Sequence, residues 1–290
     1  MPVSPALPSL APEPFAAWER VRASVPGAIA AADLAVVESG VGAALGVPDA
    51  VRAVDADPAC RVLVDQFVCD VASTSDAQRD AAFGVLGDRA FAFVQACYVT
   101  DMDTRMRAAW QQLLGVDAEH ARGSEPGDLW ADLEAFMRAV ARLDALDAVT
   151  TEVVRLRGAR AHNCRLCQST RSVQAARAGA DERLYDQIDA YDSDEESELS
   201  ARQRVALRLV DAFLWQPLSY PADLAGDVSQ VFTPVETVEI VLDVVRNAAN
   251  KIAVLFAADA PHVTDGFEPF DVTPDGEVVY LPPETHDARS

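Results

Sequence analysis

The sequence predicts an all-α protein, and three observations carry that prediction. Apolar residues recur at three-to-four-residue spacing along most of the chain, the period of a helix with one buried face. Helix-start signals precede several of these stretches: Asp57 with Pro58, Ser75 before Asp76, Ser200 with Gln203, and Thr233 with Pro234 and Glu236. Gly87, Gly115, Gly179 and Pro217 then stand where such helices should stop.

Taken in order, residues 1–14 carry prolines at 2, 5, 8, 12 and 14 and are expected as a flexible, extended arm. Phe15, Trp18 and Val21 form the stripe of a short amphipathic helix that Pro26 should end, and Ala28–Leu45 reads as the next, with a short one over Pro48–Val54. The Asp57–Pro58 start opens a helix carrying Val62, Leu63, Phe67, Val68 and Val71. A helix from Asp76 to Leu86 follows, then Asp88–Val99, then a separate one bearing Met106, Trp110, Leu113 and Leu114. Asp65, Asp70, Asp101 and Asp103 are expected on solvated helix faces and caps.

His120–Asp128 collects Gly, Ser and Pro without periodicity and marks the expected boundary between an N-terminal helical domain over 15–119, without a redox pair, and a second domain over 129–260. A helix over 129–146 opens the second domain, and the three-to-four spacing continues through Val149, Val153 and Leu156, placing Glu152 in a largely apolar surrounding. After Gly179 come a short helix over 181–192, an acidic turn, the Ser200 helix ending at Pro217, and a short helix from Pro221. The Thr233 helix carries Val238, Leu242, Val245, Ala249, Ile252, Leu255 and Phe256 on one face. Asn247 and Asn250 interrupt it, either reaching across to the neighbouring helix or facing solvent. The tail over 261–290 contains FDVTPDGEVVYL, which reads as a small β-hairpin turning at Asp275 and Gly276.

Composition bounds the function. Half the residues are apolar, enough for a full core, while a net charge of -22 argues against nucleic acid and anionic membrane surfaces as partners. No apolar run is long enough to span a bilayer, and no export signal precedes the first helix, so a cytoplasmic location is expected. Five cysteines in such a chain point to chemistry or packing rather than a disulfide scaffold, and Cys60, Cys69 and Cys97 are expected as buried, inert thiols.

The chemistry is concentrated in residues 152–171. Cys164 and Cys167, one helical turn apart, can close into a disulfide or share a metal. Asn163 reads as the N-cap of a helix running to Ala178, which puts both cysteines in the first turn, where free N–H groups and the helix dipole favour a thiolate. Arg171, four residues beyond Cys167, would add a full charge on the same face. Cys164 lies nearer the helix end and Cys167 nearer the guanidinium, so either is a candidate for the lowered pKa. Glu152 is either a proton acceptor, with burial raising its pKa, or one half of an ion pair with Arg155 or Arg157. His162 is a proton relay or an exposed loop histidine.

Glu152, eleven intervening residues and the C-x-x-C pair resemble the alkylhydroperoxidase D group of the carboxymuconolactone decarboxylase-like superfamily, over roughly residues 140–258. The resemblance implies a fold of two helical halves, with Glu152 handling protons, Cys167 attacking peroxide and Cys164 resolving. Two histidines of the family pattern are absent, since Leu166 and Arg171 stand in their places. An arginine stays charged and can stabilise an anion but cannot relay a proton.

The function expected is therefore a thiol-dependent, peroxidase-like oxidoreductase cycling the Cys164–Cys167 pair. Alternatives are a disulfide reductase, electron relay or acid–base enzyme on the same fold, and a non-catalytic helical protein in which the cysteines, with His162 and Glu152, hold a metal. The first reading needs no cofactor and no metal. Its partners would be a hydroperoxide, a thiol reductant protein or small dithiol, and further copies of the chain in a homo-oligomer.

Overall fold

The computed structural model describes residues 6–48, 54–117, 125–193 and 198–282. These form helices α1 (Leu7–Leu10), α2 (Pro12–Ala28), α3 (Ala31–Leu45), α4 (Pro58–Asp70), α5 (Asp76–Leu86) and α6 (Ala90–Leu114) before the 118–124 stretch. Helices α7 (Leu129–Ala141), α8 (Ala148–Ala161), α9 (Arg165–Gln168), strand β1 (Thr170–Ser172), α10 (Val173–Arg177) and α11 (Glu182–Asp186) follow. Helices α12 (Ala201–Trp215), α13 (Leu224–Val231), α14 (Pro234–Ala248) and α15 (Asn250–Leu255), then strands β2 (Glu268–Val272) and β3 (Val278–Tyr280), complete the chain. The fold is all-α with one small sheet in order β1-β2-β3.

The start signals act as their chemistry dictates. Ser75, Ser200 and Thr233 each accept a hydrogen bond from the third helical N–H, and the side chain of the residue there, Gln78, Gln203 or Glu236, returns the bond in a capping box. The hairpin also forms. β2 and β3 pair antiparallel, with Phe270 opposite Tyr280, and Gly276 turns the chain at φ +79°, a conformation glycine adopts without strain.

Several elements depart from the sequence expectation. Residues 7–10 and 12–14 are helical, joined at Ala11, rather than an extended arm, and Leu7 and Ala11 bury against the body, while residues 1–5 lie outside the described ones. α2 runs through Pro26 to Ala28. The helices expected at 88–99 and from 106 are one 25-residue helix, α6, carried through its polar middle by Asp101 bonding to Arg105 one turn on. The helix expected over 129–146 ends at Ala141, and the Thr233 helix breaks at Ala249 into α14 and α15. The expected helix over Pro48–Val54 and the acidic turn fall largely on residues 49–53 and 194–197, outside the described residues.

One apolar core runs through both sides of the 118–124 stretch, from Leu7 to Leu255, with Phe67, Phe93, Trp110, Phe136 and Phe213 almost fully enclosed. Each such side chain stabilises the fold by roughly 1.5–3 kcal/mol relative to exposure. α2 packs on α7 across that stretch, with Trp18 Nε1 donating to Asp103 of α6 (3.1 Å) and Ser24 Oγ donating to Asp132 of α7 (2.6 Å). A second, smaller cluster joins Val153 and Leu156 of α8 to Ala175, Tyr185, Ile188 and Leu207. α8 thus lies between α12 and α14, held on both sides, and its C-terminal end presents the cysteine loop.

Asp101 is not on a solvated face. It is fully buried, pairing with Arg105 (2.6 Å) and Lys251 (2.9 Å). Cys60 and Cys97 are buried as expected, whereas Cys69 is exposed on the outer side of α4.

Candidate redox site

The site is built on the end of α8. Asn163 adopts φ +48° just past that helix, with its N–H on the Arg160 carbonyl (3.0 Å) and the Cys164 N–H on the Ala159 carbonyl (3.0 Å). This is the Schellman arrangement, which favours glycine or asparagine at the left-handed position. Asn163 therefore closes α8 and does not open the next helix. Cys164 itself is the N-cap of α9, its sulfur accepting from the Cys167 N–H at 3.3 Å. The helix expected to reach Ala178 lasts four residues, because Thr170–Ser172 leaves it to pair in parallel with β2, Ser172 opposite Phe270.

The two cysteines are joined as a disulfide with Cα atoms 5.3 Å apart. Their surroundings differ. Cys164 is enclosed, with 1% of its surface exposed, packed with Ala159 and Val254, while Cys167 lies on the wall of a cavity of about 270 Å³. Asp259 holds the loop from outside: it accepts from the Arg165 N–H (2.9 Å) and the Arg165 guanidinium (2.7 Å), and its own carbonyl accepts from Leu166. Burial raises the Asp259 pKa, but the bonds from Arg165 outweigh it and leave the carboxyl below its usual range.

Glu152 is buried and takes the ion-pair alternative. Both its oxygens bond to Arg155 (2.6 and 2.7 Å), and Oε1 also accepts from the Ser172 N–H (3.1 Å). The remaining Arg155 donors reach the Cys167 carbonyl (2.8 Å) and the Thr170 hydroxyl (3.3 Å) and carbonyl (2.8 Å). The five guanidinium N–H groups thus meet five acceptors. Glu152 fixes Arg155, and Arg155 fixes the backbone that carries Cys167.

Arg171 does not approach the sulfurs. Being on β1 rather than on a continuing helix, it pairs with both oxygens of Glu182 (2.7 and 2.8 Å) and lies 3.6 Å over the Phe267 ring. The role expected for it, holding a thiolate, is corrected accordingly. His162 is neither exposed nor beside the thiols. It is buried facing Arg105 and Lys251 in a small crevice, where burial and then those two cations push its pKa down to about 3 and keep the ring neutral. With the thiols joined to each other, Glu152 committed to Arg155 and His162 facing away, these four residues do not form a shared metal-ligand set.

Sequence reasoning missed Asp243 and Arg246 on α14 and Tyr280 on β3. Asn247 and Asn250 neither bond to α9 nor simply face solvent. Both line the cavity with Cys167, and Asn250 donates to the Asn247 carbonyl (3.1 Å). A signal was present: Asp243 and Arg246 stand three apart inside the apolar run VEIVLDVVRNA, where charged groups need a reason to be.

Two proteins of Mycobacterium tuberculosis are similar over most of the chain: uncharacterized protein Rv2313c of strain H37Rv and uncharacterized protein MT2376 of strain CDC 1551. Each is 42% identical over 224 residues, which is 74% of this chain and 78% of the relative. The chain belongs to the family of these mycobacterial proteins. No family model matches it, and no solved structure matches it. The aligned length exceeds either side of the 118–124 stretch, so the likeness to the Rv2313c family extends over both. Among the described residues, no helix is long and apolar enough to cross a membrane.

Proposed function

We propose that the chain is a thiol-dependent oxidoreductase of alkylhydroperoxidase D-like type, reducing hydroperoxides by cycling Cys164 and Cys167 between dithiol and disulfide. The observation that carries this is the asymmetry of the bonded pair: Cys167 borders a cavity and Cys164 is enclosed behind it. Cys167 then attacks the hydroperoxide, its sulfur taking one oxygen while the thiol proton ends on the alcohol released. The Cys164 thiol displaces hydroxide from the sulfenic acid, forming the disulfide and one water. A reducing protein thiol pair or small dithiol restores both thiols and is itself oxidised. Glu152 serves as a positioning residue through Arg155. A cytoplasmic location, where such reductants are maintained, and a homo-oligomeric assembly complete the reading.

Incubating the reduced protein with a hydroperoxide should consume two thiols per chain, with the Cys164–Cys167 disulfide appearing in step, faster than free cysteine reacts. Cys167→Ser should abolish the fast phase and Cys164→Ser should leave a trapped sulfenic acid. Consumption no faster than that of the exposed Cys69 thiol contradicts the reading.

A further inference from the structure

The cavity beside Cys167 contains a cation that the thiol cycle does not use. Arg246 of α14 donates from Nε to the Met137 carbonyl (3.1 Å), and among the described residues neither of its Nη atoms has an acceptor in reach. This contrasts with Arg155 in the same wall, whose donors are all engaged. The Asn247 amide and the Tyr280 hydroxyl border the same space, also without hydrogen-bond partners among the described residues.

Nearby carboxyls do not neutralise Arg246. Glu134 accepts from Trp130 Nε1 (3.0 Å), and Glu277 lies 4.0 Å from Arg138. Asp243, three residues before Arg246, is buried with Oδ2 unpartnered, and burial pushes its pKa up to about 8, so it is largely protonated at neutral pH. The cavity is also lined by the apolar residues Met137, Leu166, Phe270 and Val278. A guanidinium with four free N–H groups, an amide and a phenol in a cavity that also has apolar lining suit a planar carboxylate on a short hydrophobic stem.

We propose that Arg246, Asn247 and Tyr280 form a carboxylate-binding subsite, and that the substrate presented to Cys167 is a small amphipathic acid carrying a hydroperoxide. The substrate half of this rests on the thiol cycle, whereas the binding half does not. The subsite can therefore be tested on the disulfide form of the whole chain, with no turnover.

Titration calorimetry with benzoate should show saturable binding, with benzyl alcohol, its uncharged counterpart, binding far more weakly. Arg246→Met should weaken benzoate by about ten- to a hundredfold, the loss of a charge-assisted bidentate contact. Tyr280→Phe, a change on a partly exposed strand that leaves the packing in place, should weaken it several-fold and covers the case in which the arginine variant does not fold. No benzoate binding by the wild type, equal binding of benzyl alcohol, tighter binding of inorganic phosphate than of benzoate, or benzoate affinity unchanged in either variant overturns the subsite. Benzoate binding without hydroperoxide reduction removes the peroxidase reading and keeps the subsite. Reduction of neutral hydroperoxides without benzoate binding does the reverse.

Discussion

A carboxyl within the apolar run of a helix is costly unless something pairs with it, and Asp243 has one oxygen with no partner. The groups around it are Arg246 and Glu239 on its own helix, Asp144 just before α8, and the Glu152–Arg155 pair on α8. Burial is the largest influence and drives its pKa to about 8, against about 4 in an unfolded chain. Between those two values the folded protein holds a proton that the unfolded chain has released, so stability falls as pH rises from about 4 and levels off above about 8. Asp243→Asn removes that titration while keeping the shape. The variant should be no less stable than wild type near pH 4 and more stable at pH 8, by up to several kcal/mol at about 1.4 kcal/mol per pH unit. Urea denaturation at several pH values checks this, and parallel stability curves for the two proteins contradict it. A residue retained at such a cost beside an uncompensated guanidinium is better explained by binding than by folding.

At the scale of elements, the sequence made the helices legible wherever the signal was local. The caps at Ser75, Ser200 and Thr233 and the turn at Gly276 all depend on residues within a few positions of each other. The CxxC spacing was legible for the same reason. What could not be read was anything set by a distant partner. β1 exists because β2, about a hundred residues later, supplies its hydrogen-bond partners, and that pairing moves Arg171 away from the thiols. Asn163 has the chemistry for either end of a helix, and the fold uses it to end α8. The sequence left two roles open for Glu152, and choosing between them required knowing that Ser172 comes back to share the carboxylate. The hairpin offers a direct probe. A Cβ at Gly276 would lie 2.2 Å from the Arg138 carbonyl of α7, at a φ of +79° where side chains are strained. Gly276→Ala should cost about 2–4 kcal/mol from strain and overlap together, read as a lowered Tm, and should loosen the cavity wall formed by residues 276–280. Unchanged stability would show that the turn does not dock on α7.

At the scale of the whole molecule, α4, α6, α12 and α15 meet around three buried charges. Arg105 reaches Asp101 and the carbonyls of Val68, Phe213 and Leu214, while Lys251 pairs with Asp101 and lies 4.5 Å from the centre of the Phe67 ring. Two cations on one carboxylate leave a net positive interior, and the neutral His162 beside them avoids adding a third cation. Around that interior the chain is strongly acidic, so the open guanidinium of Arg246 is a local exception in a field that repels anions at a distance. This arrangement selects small anions that reach the cavity over extended polyanions. The same body holds the cysteine loop so that Cys167 lines the cavity and Cys164 does not.

That asymmetry is tested most directly by alkylating the fully reduced protein for short times and counting the label at each cysteine by peptide mass. Cys167 should be labelled well ahead of Cys164, and ahead of the buried Cys60 and Cys97. Labelling of Cys164 first, or of Cys69 alone while both members of the pair stay unmodified, would contradict the assignment of Cys167 as the reacting thiol.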